Sequence, residues 1–515
     1  MDLRKISEKK IAADAVKMTL LSLAMQTAGM LFNSALAGSA GTAAVGLMSL
    51  TFSVFGFIMV LANGNILLST SRFISEERGA GRENHSRLMR RCLGFSLTLS
   101  CLFTVLSVAL SDVIGENILK NEVMSKAVRL IALSLPFASA GSCIKGYFHG
   151  IRRVEVPMRG DLIEFAAKWT ALFLGLMTLG GSDNFYIAVA GGILFGEVVS
   201  FFYYANTYIA CSRCFCHKNN AEMPLPTDTL PGYLKCSLPI LAGGYVQNLL
   251  STANELLVPA ALLKFSGNAS AALAGYGCFE AMIMPAMFFP SAVLTSLSGI
   301  IVPEAALANR AVCKNVRTER LRSLTKSAFE KCFSYSFFIS LLFFVTGRQL
   351  GQLLCPSDPT VGNSLVILAP VIPFIYLEII LEGLLKGMGR QNFSTVTSLW
   401  EYAVRIACVI IFVGRIGFPG VLISYYASNI LSNLARIYAV CKEASLTFDP
   451  FEFVITPLLK GAVCCICGLA AAKLTHADIS GNFPYLAVVI LTSVTAFALM
   501  FSDIFKKNKF GVQLD

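Results

Sequence analysis

Charge is what this sequence has least of. Asp, Glu, Lys and Arg make up 14% of its 515 residues, while apolar residues make up 55%. A soluble domain carries about 25% charged residues. A water-facing surface cannot be covered from that supply, which excludes a cytosolic enzyme, a secreted disulfide scaffold and a disordered or nucleic-acid-binding chain. The ten-residue alternation of a membrane β-barrel is missing too. In lipid, backbone groups must be paired internally, so the fold class is all-α integral membrane. No G-x-x-x-x-G-K-[ST] phosphate loop occurs, so no ATP hydrolysis, no enzyme activity and no cofactor are expected. The sixteen cysteines are scattered through apolar runs, as small buried hydrophobes would be. Cys211, Cys214, Cys216 and His217 have zinc-ligand chemistry, but their spacing is irregular and no second Cys/His pair stands nearby, so no metal is expected.

What is present is a series of long apolar runs. A spanning helix needs about 20 residues, since ~30 Å of hydrocarbon is crossed at 1.5 Å per residue. Fourteen segments qualify: 16–37, 44–71, 92–111, 127–150, 161–181, 185–210, 236–262, 270–301, 327–347, 360–386, 393–413, 418–440, 457–474 and 484–504. The excess of 42 Lys and Arg over 31 Asp and Glu falls mostly on alternate loops, around Arg4–Lys10, Arg72–Arg91, Arg152–Arg159, Arg310–Arg322 and Lys506–Lys509. The positive-inside rule then puts both termini in the cytoplasm of a multi-pass plasma-membrane protein. Ala35-Leu36-Ala37 after a basic start has the outline of a signal-peptide cleavage site. The symmetry described next needs the first helix, which favours its retention.

Residues 132–168 and 369–405 match without a gap. Ala132 pairs with Ala369, Pro136-Phe137 with Pro373-Phe374, Gly146 and Gly150 with Gly383 and Gly387, Arg153 with Arg390, Glu164 with Glu401, and Lys168 with Arg405. A weaker echo links Gly41–Gly46 with Ala269–Gly275. The chain therefore divides into two pseudo-symmetric six-helix lobes at 1–217 and 234–445, a Pro-rich cytoplasmic linker at 218–233, and a C-terminal helix pair with a basic tail at 446–515. Six helices per lobe make the repeats parallel, the arrangement of secondary transporters that rock about a central cleft.

Several segments now carry a family likeness: SRFISEER at Ser71–Arg78, KGYFHGIRR at Lys145–Arg153, the run from Tyr276 to Arg310, and LLKGMGRQNF at Leu384–Phe393. In order and spacing the chain resembles the multidrug/oligosaccharidyl-lipid/polysaccharide flippase superfamily, and within it the stage V sporulation protein B-like polysaccharide transport proteins. The resemblance implies alternating access and export of a lipid-linked oligosaccharide or peptidoglycan precursor, with membrane lipids around the prenyl tail. It also implies an alternative, a multidrug antiporter driven by proton or sodium; such relatives usually have twelve helices. Lipid II flippases of this superfamily line their cavity with arginines, whereas helices one, two and eight here contain none, Arg72 lying at the cytoplasmic end of helix two.

Intramembrane polar residues are costly and mark candidate sites. Glu255 and Glu280 fall at one depth by helix counting, about 15 Å from the outer end, and are candidates for cation coupling; two unrelated, locally bonded acids are the plainer alternative. Gln247, Asn248 and Asn254 make helix seven the most polar span, and Asn33, Asn63 and Asn65 offer first-lobe counterparts for a sugar head group. Inter-helix hydrogen bonding explains any single amide equally well. Glu164 with Lys168 and Glu401 with Arg405 are i,i+4 pairs that could close a cytoplasmic gate or meet a diphosphate, as could Arg72; anchoring of helix ends is the competing account. Gly146–Gly150 and Gly383–Gly387 have the spacing of close helix packing.

Overall fold

The computed structural model describes residues 19–501 apart from residue 22 and the segments 39–40, 64–65, 80–84, 114–121, 152, 154, 180–183, 215–229, 310–313, 357 and 476–481. Among the described residues every regular element is helical. In chain order they are α1 (Thr19–Gly38), α2 (Thr42–Asn63), α3 (Ile66–Gly79), α4 (Ser86–Ala109), α5 (Glu122–Gly150), α6 (Glu155–Leu179), α7 (Asn184–Cys214) and α8 (Leu230–Ser266). Then come α9 (Ala269 to Asn309), α10 (Lys314–Leu354), α11 (Thr360–Gly387), α12 (Gln391–Ile416), α13 (Phe418–Ala444), α14 (Phe451–Leu474) and α15 (Asn482–Met500). Among the described residues ten helices are long and apolar enough to cross a membrane. The apolar run expected as one span at 44–71 is described as α2 and α3 on either side of residues 64–65, and the linker expected at 218–233 lies largely outside the described residues.

The chain gathers into two compact units. One comprises Met1–Leu21 and Leu47–Glu255, the other Ser22–Gly46 and Leu256–Asp515. The first unit is built on α3, α4, α5 and α7, whose Phe73, Ile74, Met89, Ile144, Phe148 and Tyr204 are almost fully buried. In the second unit α10 has 41 residues, about 60 Å at 1.5 Å each, and outruns the ~30 Å hydrocarbon layer. The C-terminal pair α14 and α15 packs through Gly468 and Ala472 against Val489 and Ser493. Leu102, Val105, Met177, Phe202, Ile410, Ile466 and Leu491 stay exposed, an apolar outer surface that lipid rather than water would cover.

The internal repeat reappears as repeated hydrogen bonding. Proline has no N–H, so it strips its partner from the carbonyl four residues earlier. Pro136 frees Ala132 O and Pro373 frees Ala369 O. A hydroxyl from another helix reaches each of these carbonyls. Thr104 Oγ1 lies 3.1 Å from Ala132 O while also donating to Ser100 O of its own helix at 2.8 Å. Ser340 Oγ donates at 2.8 Å to Ala369 O, which also receives the Ile372 N–H. The glycine pairs repeat as well. A Cβ on Gly146 would lie 2.6 Å from Leu67 O and one on Gly387 2.6 Å from Val302 O, so α5 rests directly on α3 and α11 on α9.

Candidate functional site

Each unit carries its own polar groups in the bilayer. In the first, Asn63 Nδ2 donates to Ser142 Oγ at 3.0 Å, while its Oδ1 is buried with no donor. Asn254 is 5% exposed and its Oδ1 is likewise without a donor. The neighbouring Glu255 receives Ser251 Oγ at 3.3 Å and Ser53 as a second partner. Gln247 and Asn248 are half-buried one to two turns earlier on α8, Asn248 with a bonding partner. Arg72 is exposed, and Asn65 lies outside the described residues.

In the second unit α9 is not a regular helix. A π turn spans Phe279–Ile283 and a 3-10 turn Phe289–Ser291, placed around Pro285 and Pro290. Pro285 cannot donate to Ala281 O, and Asn33 Nδ2 from α1 supplies that bond at 2.8 Å. The remaining Asn33 Oδ1 is buried without a donor. Glu280 stands inside the π turn, half-buried and engaged by a neighbour. Such turns are common at functional positions because they re-aim side chains and loosen the carbonyl ladder.

The i,i+4 pairs are both formed. Lys168 Nζ meets Glu164 Oε1 at 3.0 Å, and Arg405 Nη2 meets Glu401 Oε1 at 2.6 Å. Their surroundings differ. Arg405 is 8% exposed, donates Nε to Ser428 Oγ at 3.0 Å and lies 4.2 Å from the Tyr425 ring centroid, so its donors are engaged within the unit. Lys168 retains 19% of its side-chain exposure. The centre of the second cluster is Arg436 on α13, which sequence reasoning passed over. It has no exposed surface, pairs with Glu378 Oε1 at 2.9 Å and Glu401 Oε2 at 3.2 Å, and donates to Ser398 and Thr397. A signal for it was present: Asn429, Asn433 and Arg436 recur at i, i+4 and i+7, one polar face in an apolar run. A second buried pair that went unread is His85 Nδ1 with Glu77 Oε2 at 2.8 Å, at the start of α4.

Among the described residues no group of three or more His, Cys, Asp or Glu side chains could hold a metal ion. The side chains of Cys214, Cys216 and His217 fall outside them; Cys211 Sγ receives Arg153 Nη1 at 3.4 Å.

Multiple apolar helices, proline-broken spans and buried amides with open acceptors define a multi-pass membrane transporter fold. Comparison with known proteins agrees. Residues 19–166 match the MatE family. Stage V sporulation protein B of Bacillus subtilis (strain 168) is 22% identical over 455 residues, covering 84% of this chain and 83% of its own. Sporulation protein YkvU of the same organism is 21% identical, over 83% of this chain and 94% of its own. Among solved structures, the lipid II flippase MurJ in an inward closed conformation superposes with TM-score 0.71 at 13% identity, covering 95% of this chain and all of that one. An inward-facing multidrug resistance MATE transporter superposes with TM-score 0.60 at 14% identity, over 84% of this chain and 98% of its own. Over most of its length the chain is thus similar to transporters of the multidrug/oligosaccharidyl-lipid/polysaccharide flippase superfamily, and it is a multi-pass protein of the cytoplasmic membrane.

Proposed function

We propose that this transporter is a flippase that moves a lipid-linked oligosaccharide or peptidoglycan precursor to the outer leaflet by alternating access. The proposal takes the chain as fourteen spans with both termini cytoplasmic, lobes at 1–217 and 234–445, a linker at 218–233 and a helix pair at 446–515. The observation that carries it is the set of buried acceptors without donors at Asn33, Asn63 and Asn254. A buried acceptor left unmet costs about 1–3 kcal/mol. A sugar head group is dense in hydroxyl and amide donors that suit such acceptors, whereas an amphipathic drug cation brings few.

The C-terminal pair supports the same reading. The lipid II flippase superposes on 95% of this chain and the multidrug transporter on 84%, a difference about the length of two helices. On this reading the prenyl tail stays in lipid and nothing is hydrolysed. Energy comes from the membrane potential, ~2.3 kcal/mol per charge per 100 mV, or from a proton or sodium ion at Glu255 or Glu280. Arg72, Lys168, Glu164, Glu401 and Arg405 act at the cytoplasmic mouth, with Lys168 the one best placed to meet a diphosphate.

Binding tests the reading. Purified protein should retain an undecaprenyl-diphosphate glycan in native mass spectrometry, and excess amphipathic cation should not displace it. Retention of the cation with no retention of the glycolipid would transfer the assignment to a drug antiporter of the same superfamily.

A further inference from the structure

Two clusters of charge occupy matching places in the repeat, and they do not balance alike. In the second unit Glu378, Glu382 and Glu401 face Lys386, Arg405 and Arg436. Every acid there has an ion pair: Glu382 with Lys386 at 2.8 Å, Glu401 with Arg405 at 2.6 Å, and Glu378 with Arg436 at 2.9 Å. In the first unit Asp161, Glu164 and Glu197 face two lysines. Lys145 Nζ meets Asp161 Oδ1 at 2.5 Å and Lys168 Nζ meets Glu164 Oε1 at 3.0 Å. Glu197 is left over.

Its position is closed in. Glu197 on α7 is 7% exposed, and among the described residues its carboxylate forms no ion pair, both neighbouring lysines being held by Asp161 and Glu164. Facing it are Lys145 from α5, and Asp161, Glu164 and Lys168 from α6. His149 on α5 adjoins Lys145 and Asp161. On its own helix Tyr204 points its hydroxyl elsewhere, to Pro157 O and Asp161 Oδ1, both at 3.2 Å. Gly196 brings α7 so near α6 that a Cβ there would lie 3.2 Å from Glu164 O, which leaves little room to turn the carboxylate aside. The helix offers no cation of its own: Arg213, close to its C-terminal end, is its sole Lys or Arg, whereas α13 places Arg436 inside its cluster.

We propose that Glu197 is a proton-binding site of the first unit, the proton taking the place that Arg436 fills in the second. A buried carboxylate needs a compensating partner, and the two lysines already hold their own acids. A metal ion is the poorer candidate. Sodium-like cations need several oxygen ligands, while here two ammonium groups stand alongside and the acids do not converge on a point. The site holds whichever substrate is carried, so it stands apart from the glycolipid reading.

Dicyclohexylcarbodiimide tests it without any transport measurement, since it adds only to protonated carboxyl groups in apolar surroundings. Full-length wild-type protein in liposomes is treated across a pH series and mapped by peptide mass spectrometry. Label is expected on Glu197, falling as pH rises and equal in sodium chloride and choline chloride, with no label on the ion-paired Glu378. Glu197→Gln should lose it while Asp161 and Glu164 stay unlabelled. Absence of label on wild-type Glu197 at every pH would overturn the proposal whether or not the variant folds. Protection by sodium but not choline would overturn it in favour of a metal site.

Discussion

Replacing Arg436 with methionine removes the cation from the middle of the second unit's polar core. The guanidinium is fully buried and bridges Glu378 at 2.9 Å and Glu401 at 3.2 Å while donating to Ser398 and Thr397. Methionine keeps the length and much of the packing, but leaves two carboxylates with Arg405 as their nearest guanidinium. Removing one partner of a buried pair costs about 3–5 kcal/mol, because the surviving charge is uncompensated. The Glu378 side chain is 25% exposed, so the lower end, about 3 kcal/mol, is expected. At ~2 °C per kcal/mol for a body of this size the Tm should fall by on the order of 6 °C. Reaction of the buried cysteines with a fluorogenic maleimide during heating reads that shift. Adding Glu378→Gln should recover a large part, since the pair then leaves together. A fall below about 1 °C for Arg436→Met, or a double variant no more stable than the single one, would refute the reasoning.

Other expectations follow from the same geometry. Thr104→Val and Ser340→Val each remove a hydroxyl bond to the carbonyl four residues before a helix proline and should cost about 0.5–1.5 kcal/mol apiece, read as similar Tm losses; a loss in one repeat alone would contradict the shared role. Asn254→Ala should leave Tm nearly unchanged but weaken glycolipid binding by ~1 kcal/mol, about five-fold; Asn33→Ala and Asn63→Ala should weaken binding as much and also lower Tm, since their Nδ2 groups serve Ala281 O and Ser142 Oγ. A fall in Tm with intact binding would make them structural amides. A Cβ on Gly277 would stand 2.5 Å from Gly46 N and 2.7 Å from Thr42 O, so Gly277→Val should pry α2 from α9. Maleimide labelling of a Thr42→Cys reporter should then rise several-fold, and unchanged labelling would show that this contact does not hold the two helices.

The helices were legible because apolar run length is a local property, and the repeat because its prolines and glycines sit at fixed spacing. Pro136 and Pro373 announce freed carbonyls in the sequence. The hydroxyls that meet them, on Thr104 and Ser340, do not, because they arrive from other helices. Asn33, Asn63 and Asn254 stood out as amides in apolar runs, though the donorless state of their Oδ1 atoms is a tertiary fact. Counting residues along straight helices puts Glu255 and Glu280 at one depth. The π turn at Phe279–Ile283, within which Glu280 falls, is a departure from straight-helix counting that the sequence did not announce. Glu401 and Arg405 read in the sequence as a gate or diphosphate pair, with helix-end anchoring as the alternative. Arg436, a lone arginine near the end of an apolar run, went unread because its partners on α11 and α12 arrive from other helices.

The most direct test of the central claim is flipping itself. Proteoliposomes carrying an undecaprenyl-diphosphate glycan with a fluorescent head group are treated with dithionite, which quenches outward-facing label alone. A flippase should carry quenching beyond the half available in protein-free vesicles, and the gain should shrink in Asn33→Ala and Asn254→Ala. Well-folded protein that leaves quenching at half, under both an applied potential and ion gradients, would contradict the account and point to the export of amphipathic cations.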